Sequence, residues 1–344
     1  MMQTNLFTCL RAACALFFLL TLPACLPESL ETMKQAYGRV DNILVVCDSR
    51  LWNGAAGDSF RTAFSALYPV TPQPEPLYEL RHVQPEELNK AQRTHRTIIF
   101  LADLSAESAE GTNMVARTLG EENVKRAKND PQYRIALNTD RWAKGQLVVY
   151  WFAPTAADLA ENIAKHHKKV MQNIQTHDDK KLTEMVYSTG INQAATDTLR
   201  KKFNVEMSVP ADYVIATQDS QSVWLRFETE KISSSLFIYS FPNSQRPLSP
   251  EQFKSTRDSL TRLYFTTNVD SSFMQIDDRF LPVVFTASRL SDVDALQGRG
   301  VWSMVNDFMG GSFVGYLLND AKNNRTLYID GFVHAPGQQK RIEL

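Results

Sequence analysis

The run Ile43-Leu44-Val45-Val46-Cys47, inside a strand expected over residues 40–47, carries no polar residue on either side of the backbone. A strand facing water on one side alternates. One that does not is buried on both faces, as in the centre of a sheet with helices outside. Residues 97–101 (TIIFL) repeat the signature, and residues 133–137 and 146–152 read as strands around a turn in which Gly145 is free to take positive φ. After the first strand, Ala56, Phe60, Ala63, Phe64 and Leu67 recur at helical spacing. Residues 68–76 (YPVTPQPEP) hold four prolines and are expected to run extended as a connector. Residues 105–131 read as a polar surface insertion, helical over 114–128. Thr155 and Asp158 then form a capping-box variant behind Pro154. In the helix they start, Ala156, Ala160, Ile163, Val170 and Ile174 share one face, with Asp158, Lys165 and Lys169 opposite.

The second half has a different rhythm. Helical segments over 182–204 break near Gly190, with Ile191, Ala195, Leu199 and Phe203 every fourth residue. Strands are expected at 223–228, 236–241, 283–287, 300–306, 312–318 and 326–333, with a turn at 319–324. Ser249-Pro250-Glu251-Gln252 starts a helix between them, with an N-cap serine, an N1 proline and an N3 glutamine. The expected fold class is α+β, in two associated halves, each a mixed or antiparallel sheet packed with helices. The halves are expected at 40–178 and 179–344, divided near Asp178-Asp179-Lys180.

Ahead of them, the apolar segment from Ala12 to Leu22 follows the single cation Arg11. It is shorter than the about 20 residues that a bilayer requires. It ends in Leu22-Pro23-Ala24-Cys25, so residues 1–24 read as a signal peptide cut after Ala24. The residue exposed by that cut is a cysteine, which resembles the lipobox of bacterial lipoproteins, whose cysteine is acylated. Cys25 is the expected lipid attachment site, with residues 25–39 as a tether. Leu26 follows it, with no aspartate of the inner-membrane retention type, so delivery to the outer membrane, facing the periplasm or the exterior, is expected. Of four cysteines, Cys9 and Cys14 leave with the signal and Cys25 carries lipid. Cys47 then has no disulfide partner, so the fold rests on its core.

Charge narrows the partners. The mature chain keeps 36 basic against 38 acidic residues, which argues against nucleic acid, because phosphate binding needs a concentrated basic field. His166 and His167 are adjacent and diverge on a helix, and HExxH, paired CxxC and EF-hand spacings do not occur. Gly310-Gly311 lacks a strand-to-helix GxGxxG setting, no GxxxxGK[ST] occurs, and no GxSxG elbow is present. Neither metal, nucleotide, cofactor nor catalytic residue is expected. What stands out is tryptophan beside polar groups in loops. Asp48, Trp52 and Asn53 follow the first strand, at the end where helix-covered sheets bind ligands, and Trp142 and Lys144 occupy a strand-to-strand connection. These five are the candidate recognition surface. Trp302 and the 307–311 run flank a third aromatic cluster.

The motifs LVVCDSRLWNG, DRWAKGQLVVY, VWLRFET with LFIYSFP, and DFMGGSFVGY with IDGFVHAP resemble a family of bacterial lipoproteins, domain of unknown function 4837, over residues 42–336. The resemblance implies an acylated envelope protein of α+β fold and carries no activity with it. Members usually add an amphipathic helix after the GFVHAP strand, whereas this sequence has eight residues from Gly337. The functional expectation is a membrane-anchored binding or assembly component, not an enzyme, with an envelope protein or glycan as partner. The alternative is a hydrolase of envelope glycan or peptide.

Overall fold

The computed structural model describes residues 33–339. The signal peptide, Ala24, Cys25 and Leu26 lie outside the described residues, as do residues 340–344. The first sheet contains β1 (Asn42–Val46), β2 (Glu79–Val83), β3 (Thr97–Asp103), β4 (Ile135–Thr139) and β5 (Leu147–Ala153), in the order β2-β1-β3-β5-β4. β1 is parallel to β2 and β3, and β3 to β5, while β4 returns antiparallel. The unalternating runs are the central strands, as their composition requires.

Helices cover both faces. α1 (Ser49–Trp52) and α2 (Ala55–Phe64) follow β1, and α3 (Glu110–Leu119) and α4 (Glu121–Asn129) follow β3. α5 (Ala156–Val186) follows β5 and lies beside α2. Phe60 and Phe64 of α2 and Ile163, Val170 and Ile174 of α5 bury against Val45 and Val149. On the other face Val115 of α3 and Ala127 of α4 bury against Val46 and Phe100. Residues 105–131 are therefore a structural layer and not an insertion. Their polarity misleads because each helix buries only a narrow stripe. β2 was not legible as a strand, since ELRHV is an edge with four of five side chains in partial or full contact with water. The boundary expected at 178/179 falls inside α5, which continues to Val186.

The second sheet is antiparallel, with eight strands. They are β6 (Val214–Gln218), β7 (Ser222–Glu228), β8 (Ser233–Pro242), β9 (Phe273–Ile276), β10 (Val284–Leu290), β11 (Val293–Val305), β12 (Gly310–Asp320) and β13 (Arg325–His334). The order is β10-β11-β12-β13-β8-β7-β6, with β9 also pairing β11. α6 (Gln193–Phe203) buries Ala195, Leu199 and Phe203 on one face, and α7 (Pro250–Tyr264) buries Phe253 and Leu260 on the other. Ser249 caps α7 by accepting from the Gln252 amide at 3.2 Å. Gly298 and Gly315 sit opposite each other across β11 and β12, and the Phe253 ring fills the space above them. A Cβ on either would lie 2.7 Å from that ring. The proline connector joins the halves: Val70 is buried, its carbonyl accepts from Ser312 Oγ at 3.1 Å, and Arg299 donates to Tyr68 Oη at 2.6 Å.

Candidate functional site

In the first sheet the chain leaves β1 toward the face of α2 and leaves β3 toward the face of α3. Adjacent parallel strands whose connections depart to opposite faces open a crevice at their carboxyl ends. That crevice is present, with a volume of about 410 Å³. Asp48 enters it from the end of β1, Asp103 from the end of β3, and Ala156 from the start of α5. Ala55 and Ala109 bring in the first turns of α2 and α3, whose N-caps, Gly54 and Ala109, make no side-chain capping bond. Their leading N–H groups therefore face the crevice with the partial positive charge of two helix ends.

The two carboxylates differ. Asp103 is held within its own loop, with Oδ1 accepting from the Ser105 amide at 2.9 Å and from Ser105 Oγ at 2.6 Å. Thr112 Oγ1 also donates to the Asp103 carbonyl at 2.8 Å, locking α3 to the end of β3. Asp48 packs its carboxylate on Gly111 of α3, where a Cβ would lie 2.6 Å from Oδ2. Beside it, Cys47 is fully buried, and burial first, then the Asp48 charge, push its thiol up to about 12. A thiol in that state is no nucleophile.

Of the predicted surface, Asp48 lies in the crevice and the other four do not line it. Trp52 is half-buried, with His82 stacked on its ring at 4.8 Å and the Arg61 guanidinium 4.6 Å from the ring centre. Asn53 is exposed at the C-terminal cap of α1. Trp142 and Lys144 precede β5, which is parallel to β3, so they lie at the opposite end of the sheet from Asp48. There Trp142 packs 6.3 Å from Phe100, with the Arg141 guanidinium 4.7 Å from its ring. The Lys144 amide donates to the Lys34 carbonyl at 2.8 Å, and its carbonyl accepts from Ala36 at 2.9 Å. The described part of the expected tether is thus laid against the β4–β5 connection. His167 is half-buried, with Nδ1 3.0 Å from the Ala164 carbonyl. Among the described residues no group of three or more His, Cys, Asp or Glu is placed to hold a metal.

Sequence reasoning missed Asp103 and the start of α3. Asp103 sits two residues past the TIIFL run, at the carboxyl end of β3 as Asp48 lies just past that of β1, and this was the available signal.

No curated protein matches this chain. Among solved structures it is similar to the Saccharomyces cerevisiae Ran-binding protein Mog1p, at 10% identity and a TM-score of 0.24, over 38% of this chain and 71% of that one. A point mutant of protein Mog1 gives the same identity and TM-score over 40% of this chain and 74% of that one. Superpositions at that level carry no inference here. The resemblance expected over 42–336 holds for the second half, and a separate family matches the first. Residues 192–344 match the family model Domain of unknown function (DUF4837), and residues 36–187 match Domain of unknown function (DUF8532).

Proposed function

We propose that this is a lipid-anchored, non-enzymatic binding component of a bacterial envelope, attached through Cys25 and reading a neutral polar group in the crevice at Asp48. The observation that carries the reading is the lining of that crevice. Asp48 supplies an acceptor, Arg50 and two uncapped helix starts supply donors, and alanines and glycines between them leave room for close approach. Donors and acceptors side by side suit a peptide amide or a sugar hydroxyl, which presents both. A hydrolytic reading needs an activated base or nucleophile. Here Cys47 is buried with its thiol pushed up to about 12, and Asp103 spends its carboxylate on Ser105.

The test is a pull-down from native membranes with the intact, lipidated protein. Ala55→Trp closes the mouth of the crevice from an exposed position. Loss of a co-purifying peptide or glycan in that variant, with the fold intact, supports the reading. Unchanged recovery sinks it, and cleavage products that vanish in Asp48→Asn favour the hydrolase. Anchoring is tested separately, because Cys25→Ser should leave membranes or stay unprocessed. A Ser variant that is cleaved and still membrane-bound refutes the lipid. By analogy with better-known diderm envelopes, density-gradient separation should place the parent with outer-membrane markers.

A further inference from the structure

We propose that the rim of the first sheet opposite the crevice is the face this protein lays on its bilayer, docking on anionic phospholipid headgroups, a role that rests on the lipid anchor at Cys25 but not on what the crevice holds. Trp142 and Lys144, which the crevice leaves out, belong to this face.

Three segments build the rim. Residues 33–39 cross beneath the starts of β3 and β5, where Gln35 bridges to Lys144 and Tyr37 to His95. The Tyr37 amide donates to the Thr94 carbonyl at 3.0 Å, and the Arg96 amide donates to the Tyr37 carbonyl at 2.7 Å. Gln146 is fully buried and ties the other two segments together. Its Nε2 donates to the carbonyls of Arg93 at 2.6 Å and His95 at 2.7 Å. The rim is therefore one hydrogen-bonded surface and not three separate loops.

Its charge is one-sided. Residues 33–39, 89–96 and 140–146 hold seven Lys and Arg against one acid, Asp140. That acid is spent on the turn, with Oδ1 accepting from the Gly145 amide at 2.5 Å and the Gln146 amide at 3.3 Å. Arg39 pairs with Asp41 at 3.1 Å, and Arg96 donates to the Gly38 carbonyl at 3.0 Å. The other five are Lys34, Lys90, Arg93, Arg141 and Lys144, and among the described residues none is in a salt bridge with a carboxylate. Acids enter at the flanks: Glu184 of α5 pairs with Lys181 at 2.6 Å, and Glu121 and Glu122 open α4. Aromatic and apolar groups stand among the cations. Met33 and Tyr37 are each nearly half exposed, and the half-buried Trp142 has the guanidinium of Arg141 4.7 Å and that of Arg93 5.8 Å from its ring. Cations beside Trp and Tyr are the composition of surfaces that lie at a membrane interface.

The tether brings this rim to the bilayer. Eight residue steps separate Cys25 from Met33. Fully extended they span at most about 29 Å. An anionic surface then gains about fivefold in attraction for each cation that comes near it. That gain fades over a Debye length of about 8 Å, so it acts on the rim and not on the remote half. The crevice opens at the far end of the strands, about 20 Å away along the seven residues of β3, and faces away from the headgroups.

The test places the full acylated chain in nanodiscs of phosphatidylcholine, with or without phosphatidylglycerol, and footprints it with a water-soluble lysine-acetylating reagent. Lys34, Lys90 and Lys144 should acetylate about fivefold more slowly in the anionic discs. Salt at about 1 M should abolish the difference. Lys231 and Lys322, exposed in the second half, should react alike in both discs. Arg141→Glu with Lys144→Glu should erase the slowing at Lys34 and Lys90. If that pair disturbs the loop, Lys34→Glu with Lys90→Glu reads the same loss at Lys144. Equal rates in the two discs overturn the proposal. So does slowing that grows with protein density in either disc, which assigns the face to a second copy. Mass spectrometry of the N-terminal peptide reads the anchor separately. An unacylated Cys25 refutes the anchor, and the docking with it, whereas an acylated chain with unprotected lysines refutes the docking alone.

Discussion

Replacing Asp330 by asparagine should stabilise this protein at neutral pH, although it removes half of a buried ion pair. Asp330 on β13 and Arg257 on α7 are both fully buried, and their closest atoms, Oδ2 and Nη2, are 3.2 Å apart. The arrangement is poor for a pair of charges. Neither Asp330 oxygen makes a well-aligned hydrogen bond, although the Arg257 guanidinium and the buried Tyr328 hydroxyl both lie beside it, and Nε and Nη1 of Arg257 have no partner. The guanidinium instead lies 3.7 Å from the centre of the Phe313 ring. A buried pair repays its desolvation only when further hydrogen bonds complete it. Burial therefore outweighs the arginine and pushes the Asp330 carboxyl from 3.8 up to about 6. A carboxyl raised in the fold contributes stability that is complete below 3.8 and is lost as pH rises through about 6. The difference corresponds to about 3 kcal/mol. In a half of this size that is roughly 6–12 °C in melting temperature. Urea unfolding of parent and Asp330→Asn across pH 4 to 7.5 tests it, with hydrogen-exchange protection of β12 and β13 reading the second half separately. The two stability curves should meet near pH 4, diverge as pH rises from 3.8 to about 6, and keep a constant gap above that, the asparagine variant ahead by up to about 3 kcal/mol. A variant weaker than the parent by about 3–5 kcal/mol at neutral pH, the cost of stranding a buried arginine, would refute the reasoning. Parallel curves would refute it as well.

Three further outcomes follow from packing and chemistry. Gly315→Ala should cost about 1–3 kcal/mol by driving a methyl into Phe253, and Phe253→Leu in the same chain should recover part of that loss. Strictly additive effects would show that the ring has room to move. Trp52→Ala should lower stability by about 2 kcal/mol, because it deletes the stack on His82 and the Arg61 contact, and an unchanged melting curve would return Trp52 to the recognition surface. Cys47 should resist thiol reagents at pH 8 in the native protein and react on denaturation, since burial holds it protonated. With Cys9 and Cys14 removed and Cys25 acylated, the denatured mature protein then shows one thiol, whereas a second, at Cys25, would mean cleavage without lipid.

The parts of the fold legible in the sequence were those with a one-dimensional signature. Continuous apolar runs announced β1, β3 and β5, and the caps at Thr155 and Ser249 announced α5 and α7. β2, β6 and β9 left little trace. ELRHV and VIATQ are edge strands with half or more of their side chains in water, and FMQI has only four residues. The burial of α3 and α4 hid for the opposite reason. A helix over 114–128 is expected from the sequence but not its place in the core, because apart from Val115 the burial rests on small residues, Gly111, Thr112 and Ala127.

The candidate site divided for a reason of strand polarity. Asp48 follows β1 and Lys144 precedes β5, and β1 and β5 point the same way through β3. In a parallel sheet, residues after one strand and before another are held at opposite ends, a strand length apart, whichever strands are neighbours. Once the runs at 43–47, 97–101 and 146–152 are read as parallel because none alternates, Trp142 and Lys144 are excluded from the Asp48 crevice, and Asp103 is drawn into it as the residue after a second strand. Two loops can share composition, tryptophan beside lysine or aspartate, and still sit on opposite rims. The end of the strand from which a residue departs is the stronger guide.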